Sequence, residues 1–240
     1  MMSASADITV YQKGTILMEI HWTILFALET VGTIAFASSG AMVAIERNLD
    51  LLGIIVLGVT TAVGGGMIRD IIIGNIPPAL FQNPVYVWMA LITVLILFAV
   101  IRFHPYILGG EFRENYEKIM NIFDAVGLGA FTVVGINTAV NAGYGNYHFL
   151  AAFLGVVTGV GGGVLRDIMA DQTPYILRKH VYACASIIGA VCYILILDKI
   201  PADWAMVSCS LIVVVIRLLA TKYRWNLPTA TGKHNKGDES

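Results

Sequence analysis

The sequence predicts an all-α membrane protein with seven transmembrane helices, built as a three-plus-three inverted repeat followed by a seventh helix. Three observations carry this. The 240 residues are 57% hydrophobic and 13% charged, with a mean hydropathy of +0.76, where a soluble domain carries about 25% charged residues. Seven apolar runs each come near the roughly 20 residues that a spanning helix needs. One motif occurs twice: Thr60-Thr61-Ala62-Val63-Gly64-Gly65-Gly66-Met67-Ile68-Arg69-Asp70 returns as Val157-Thr158-Gly159-Val160-Gly161-Gly162-Gly163-Val164-Leu165-Arg166-Asp167.

Taken in order, residues 1–20 are mixed in composition and expected to be peripheral. The apolar runs follow at 22–45, 51–73, 85–103, 122–142, 148–169, 180–197 and 204–221. Most connections are short. The exception is 104–121, with His104, Pro105, Gly109, Gly110 and the charged segment Glu111 to Lys118, which reads as the joint between halves. Repeat 1 is therefore placed at 22–103 and repeat 2 at 122–197, with the seventh helix at 204–221. The polar tail 222–240 is expected to be disordered after Pro228. Trp22, Trp88, Trp204, Tyr86 and Tyr182 fall near span ends, where aromatic belts sit.

Gly66, Arg69 and Asp70 map to Gly163, Arg166 and Asp167 at an offset of 97 residues, and Gly74-Asn75-Ile76-Pro77 maps to Asp171-Gln172-Thr173-Pro174 at the same offset. Upstream, Glu29, Gly32 and Phe36 map to Asp124, Gly127 and Phe131 at an offset of 95. Each repeat contains three spans. An odd number forces the second copy to enter the membrane the other way up, so the halves are related by a pseudo-two-fold axis in the membrane plane. Matching Gly-interrupted helices in inverted repeats point to a substrate or permeation site between them.

The doubled motif is expensive in a bilayer. Each glycine weakens a helix by about 1 kcal/mol relative to alanine, and Arg or Asp in hydrocarbon costs about 2.5–3.5 kcal/mol. Two uses of the glycines stay open and can coexist. They can let helices pack closely. They can also break the second span at Gly64, Gly65 and Gly66 and the fifth at Gly161, Gly162 and Gly163, freeing carbonyls that favour a cation. Thr60, Thr61 and Thr158 would add hydroxyl oxygens, and Ser38, Ser39, Asn137, Thr138 and Asn141 further polar groups.

Adjacent helical residues point roughly 100° apart, so Arg69 and Asp70 are each expected to need a separate partner. Depth suggests one. Glu29 lies roughly 10 Å below the outer end of the first span, and Arg69 roughly 6 Å below the same surface. Asp124 and Arg166 lie near the inner ends of theirs. The expected pairs are Glu29–Arg69 and Asp124–Arg166, leaving Asp70 and Asp167 to cap neighbouring helices or meet ions. Arg217, near the inner end of the last span, is expected to snorkel to the surface.

Other chemistries find no footing. The glycine stretches lack the order of a phosphate loop, and no Ser-His-Asp, Cys-His or metal-hydrolase arrangement occurs, so no enzyme is expected. Cys184, Cys192 and Cys209 read as small buried apolar residues, and His21, His148 and His180 as interfacial. The first run is too long for a cleavable signal, carries Glu29 and lacks a basic flank. No cofactor, fixed metal or nucleic-acid partner is expected. The lipid bilayer is the obligatory one.

Basic residues in the connections set the expected orientation. One side holds Lys13 and Lys199. The other holds Arg47, Arg102, Arg113, Lys118, Arg178, Lys179, Lys222, Arg224, Lys233 and Lys236. The second side is therefore expected to be cytoplasmic, with the N-terminus outside and the C-terminus inside.

Two three-span repeats, each with G-G-G-x-x-R-D, plus a seventh span resemble the prokaryotic TRIC (trimeric intracellular cation) channels, which are also grouped as membrane proteins with paired glycine-transporter domains. The resemblance covers about 22–221, with no departure from the motif in either copy. It implies a homotrimer in a prokaryotic inner membrane, with a pore in each protomer lined by kinked second and fifth helices. That pore would pass monovalent cations, chiefly K+ and also Na+. The alternative is a secondary transporter for glycine or a similar small zwitterion, binding the carboxylate at a half-helix N-terminus. On the channel reading, leucine at Gly65 and Gly162 would block conduction and leave the fold intact.

Overall fold

A computed structural model describes residues 2–104, 110–178, 181–197 and 199–225, with side chains for all of these except 2–21, 110–117 and 178. The described residues form α1 (Met2–Glu46), α2 (Leu51–Ile72), α3 (Ala79–Gln82), α4 (Val85–Phe103), α5 (Gly110–Ala139), α6 (His148–Met169), α7 (Tyr175–Arg178), α8 (Val181–Ile196) and α9 (Ala202–Lys222). A π-helical turn, Val140–Tyr144, continues α5. Six segments are long and apolar enough to cross a bilayer: Trp22–Glu46, Leu51–Ile72, Val85–Phe103, Lys118–Tyr144, His148–Met169 and Ala202–Lys222. The seventh, Val181–Ile196, is apolar but has only 16 residues, about 24 Å at 1.5 Å per residue.

Two stretches outside the apolar runs are helical. The stretch before Trp22 continues α1 as helix. The charged joint from Glu111 to Lys118 is the first part of α5. Glu, Arg and Lys are good helix formers, so the helix extends past the apolar run. The tail beyond Trp225 lies outside the described residues.

Helix ends show the repeat at atomic detail. Asp50 caps α2 by accepting from the Gly53 N–H at 2.7 Å. At the other end, Gly74 N–H donates to the Ile71 carbonyl at 3.2 Å and Asn75 N–H to the Asp70 carbonyl at 2.9 Å, a Schellman closure with Gly74 at φ 75°. The same closure ends α6: Asp171 N–H reaches the Ile168 carbonyl at 3.1 Å, Gln172 N–H reaches the Asp167 carbonyl at 2.8 Å, and Asp171 takes φ 54°.

The pseudo-two-fold axis is visible in exchanged contacts. A Cβ on Gly127 would overlap the Phe36 ring, and one on Gly32 would lie 3.1 Å from the Phe131 ring. Each half thus notches a glycine for the other half's aromatic, and the two rings meet at 5.4 Å between centroids. Within the halves, a Cβ on Gly40 would lie 2.5 Å from Thr61 Oγ1, and one on Gly135 would lie 2.5 Å from Thr158 Oγ1. The centre is made by α1, α2, α5 and α6. Helix α9 packs mainly on α5 and α8, in the second half. Trp88, Ile92, Ile96 and Val100 expose one stripe of α4, the surface a membrane helix offers to lipid or to a neighbouring protomer.

Candidate functional site

Helices α2 and α6 cross at the glycine triplets. A Cβ on Gly65 would overlap the Thr158 carbonyl oxygen, and one on Gly162 would overlap the Thr61 carbonyl oxygen. A Cβ on Gly161 would lie 3.2 Å from Gly65 Cα, and one on Gly64 would lie 2.5 Å from Leu165 Cδ1. The helix break expected here is not present: α2 runs unbroken from Leu51 to Ile72 and α6 from His148 to Met169. The glycines remove side chains so that two intact helices touch backbone to backbone. No main-chain carbonyl has to be freed for that. Thr61 and Thr158 are buried, and their hydroxyls donate to the Leu57 and Leu154 carbonyls at 2.6 Å. Thr60 is half-buried. Ser38 is buried on α1, while Asn137, bonded by Asn141 at 2.9 Å, forms a separate group beside Tyr193.

The third glycine of each triplet lies beside an arginine. A Cβ on Gly66 would make an ordinary contact with Arg69 Nη2 at 3.6 Å. One on Gly163 would lie 3.7 Å from Arg166 Nη2 but only 2.8 Å from the Tyr182 hydroxyl, so there it is the tyrosine that the glycine admits. Both arginines then bond the aspartate that follows, contrary to the expectation that adjacent residues cannot meet. Arg69 Nε and Nη2 donate to Asp70 Oδ1 at 2.9 and 2.8 Å. Arg166 Nε donates to Asp167 Oδ1 at 2.9 Å, with Nη2 at 2.8 Å from the same oxygen. The 100° separation governs where side chains leave the helix; the guanidinium stem is long enough to curl back. Each aspartate spends its second oxygen on the next short helix: Ala79 N–H donates to Asp70 Oδ2 at 2.8 Å, and Tyr175 N–H to Asp167 Oδ2 at 2.7 Å. The R-D dipeptide is thus a staple between a spanning helix and the one-turn helix after it.

Beyond this shared frame the halves differ. In the second, Arg166 Nη1 donates to Asp124 Oδ1 at 2.7 Å and to Ser39 Oγ at 2.5 Å. Arg217 of α9 brings Nη2 to 4.0 Å from Asp124 Oδ2 and lies over the Tyr182 ring at 4.7 Å. Asp124, Arg166, Asp167, Tyr182 and Arg217 are all at or below 2% exposure. Two cations and two carboxylates thus sit sealed among the helices. The expected snorkelling of Arg217 is corrected, because Asp124 offers its charge a nearer counterion than the surface does.

In the first half the expected Glu29–Arg69 pair is not made. Glu29 is half-buried and accepts a hydrogen bond from the Tyr86 hydroxyl of α4. Arg69 keeps only Asp70, and its Nη1 makes no hydrogen bond among the described residues. Tyr86 and Tyr182, read as belt aromatics, both belong to this site. The signal for them was the repeat itself, since Val85-Tyr86 recurs as Val181-Tyr182 at an offset of 96.

A family described as glycine transporter matches residues 26–102 and 121–198, once in each half. The UPF0126 inner membrane protein YadS of Escherichia coli (strain K12) is 35% identical over 214 residues, 88% of this chain and 96% of its own. The TRIC trimeric intracellular cation channel orthologue from Rhodobacter sphaeroides superposes with a TM-score of 0.74 at 29% identity, covering 85% of this chain and all of the other. A prokaryotic TRIC channel crystallised in 0.5 M KCl gives a TM-score of 0.77 at 29% identity, covering 86% and 100%.

Proposed function

Since the chain belongs to the glycine transporter family of multi-pass membrane proteins, we propose that it is a monovalent cation channel of the inner membrane, passing K+ foremost. It would work as a homotrimer with one pathway in each protomer. The observation that supports this most is likeness along nearly the whole of each solved TRIC channel, at an identity high enough to speak of more than fold. The pathway we assign runs along α2 and α6, where Gly64–Gly66 and Gly161–Gly163 hold the crossing closed and Arg69 and Arg166 flank it. Repeats 22–103 and 122–197 are its two walls. Catalysis has no part in this reading.

Purified protein in a planar bilayer with KCl should give unitary current steps, and the reversal potential in a K+/Na+ gradient should order the two ions. The family's own description favours a second reading, a glycine carrier. Glycine uptake into proteoliposomes without any unitary steps would replace the channel with it.

Orientation is part of the proposal. A reporter fused after Lys236 should read as cytoplasmic, and one inserted in 75–83 as external. The reverse pattern would put the ten basic loop residues outside and overturn the assignment.

A further inference from the structure

The two halves place the same three groups, an acid, an arginine and a tyrosine, at matching positions, yet join them differently. In the second half the acid, Asp124, sits on Arg166 Nη1 at 2.7 Å, and the Tyr182 hydroxyl has no hydrogen-bond partner among the described residues. In the first half the acid, Glu29, sits on the tyrosine, and Arg69 Nη1 is the donor without a partner among the described residues. The pseudo-two-fold therefore displays both ways of wiring one triad.

Only the first half has freedom to change its wiring. Asp124 is fully buried and held from two sides, by Arg166 and by Arg217 of the helix outside the repeat. Glu29 has no counterpart to Arg217 among the described residues, is half-buried, and has one more methylene than Asp124. The charged and titratable groups acting on it are Tyr86 of α4 and Arg69 and Asp70 of α2. Moving the carboxylate from the hydroxyl to the guanidinium reproduces in the first half the pair already formed in the second.

We propose that Glu29 is a two-position carboxylate, docked on Tyr86 when the pathway is closed and on Arg69 Nη1 when it conducts. The inference rests on the channel reading. With Glu29 on Tyr86, Arg69 is balanced by Asp70 alone, through Nε and Nη2, and its Nη1 is an open donor near Gly66 and the α2–α6 crossing, where its partial positive charge repels cations. With Glu29 on Arg69, that charge is compensated and α1 is drawn onto α2. Tyr86 is then the residue that holds the closed state, and Glu29 the one that sets the charge the ion meets.

The test uses the full-length protein in planar bilayers. Tyr86→Phe should shift the closed-to-open ratio about tenfold or more toward open, the population change that one hydrogen bond to a charged group supports. Glu29→Gln should lower opening, and the double variant should behave as Glu29→Gln alone. An unchanged or lowered opening in Tyr86→Phe, or a double variant resembling Tyr86→Phe, overturns the proposal while leaving the channel standing. Absence of currents from the unaltered protein would instead remove the channel reading, and melting of the purified protein then decides the wiring. Glu29→Gln and Arg69→Lys should shift Tm additively in the native background and non-additively in the Tyr86→Phe background. Additive shifts in both would show that Glu29 never reaches Arg69.

Discussion

Asp124→Ala is expected to cost about 3–5 kcal/mol of stability, the loss seen when one partner of a buried ion pair is removed. Asp124 is the counterion shared by Arg166 at 2.7 Å and Arg217 at 4.0 Å, both without meaningful access to solvent. Its removal leaves Arg166 with Asp167 alone and Arg217 with no carboxylate contact among the described residues. A loss of that size is a large fraction of a typical folding free energy, so little folded protein should survive extraction. Glu29→Ala removes a half-buried group bonded to a neutral hydroxyl and should cost about 1 kcal/mol. Thermal melting of both variants in detergent checks the contrast. Adding Arg217→Leu to Asp124→Ala should recover part of the loss, because it removes one of the stranded charges. Equal Tm shifts for Asp124→Ala and Glu29→Ala would mean that the second cluster does not bear on the fold as its geometry implies.

Alanine at Gly65 or Gly162 should lower stability by at least the 1–3 kcal/mol typical of overpacking. The new methyl would meet a main-chain carbonyl oxygen of the opposite helix, and a backbone cannot rotate away as a side chain can. Gly66→Ala makes the comparison sharp. Its nearest neighbour would be Arg69 Nη2 at 3.6 Å, an ordinary contact, so alanine there should be neutral or stabilise by up to about 1 kcal/mol through helix propensity. Folded yield and Tm of the three variants read the difference. Leucine at Gly65 and Gly162, expected from sequence to block conduction in an intact protein, should instead prevent the two halves from closing. Wild-type melting of Gly162→Ala would show that the helices stand further apart than this.

The seven spans and their repetition were legible because apolar length and a doubled motif are properties of the chain alone. The Asp124–Arg166 pair was legible too, since both residues sit near the same end of their spans. What a triplet of glycines does was not. Three missing side chains look alike whether the backbone breaks or a second backbone arrives, and only the opposite helix decides. Depth failed for Glu29 because the Tyr86 hydroxyl competes for the same carboxylate from a helix that depth arithmetic did not include. It failed for Arg217 because nearness to a span end suggested water, while Asp124 lay closer. Long side chains choose among partners within several ångströms, and a span boundary is no finer than that.

The notches that hold Phe36 against Gly127 and Phe131 against Gly32 also limit how the protein can move. Sliding one half along the other by a single residue, about 1.5 Å, would drive each ring out of its glycine and against a neighbour bearing a side chain. Rotation about the line between the two rings keeps both seated. The interlock therefore acts as a pivot: it suppresses translation and leaves one rocking coordinate, along which whatever opens the α2–α6 crossing on one membrane face must also displace it on the other.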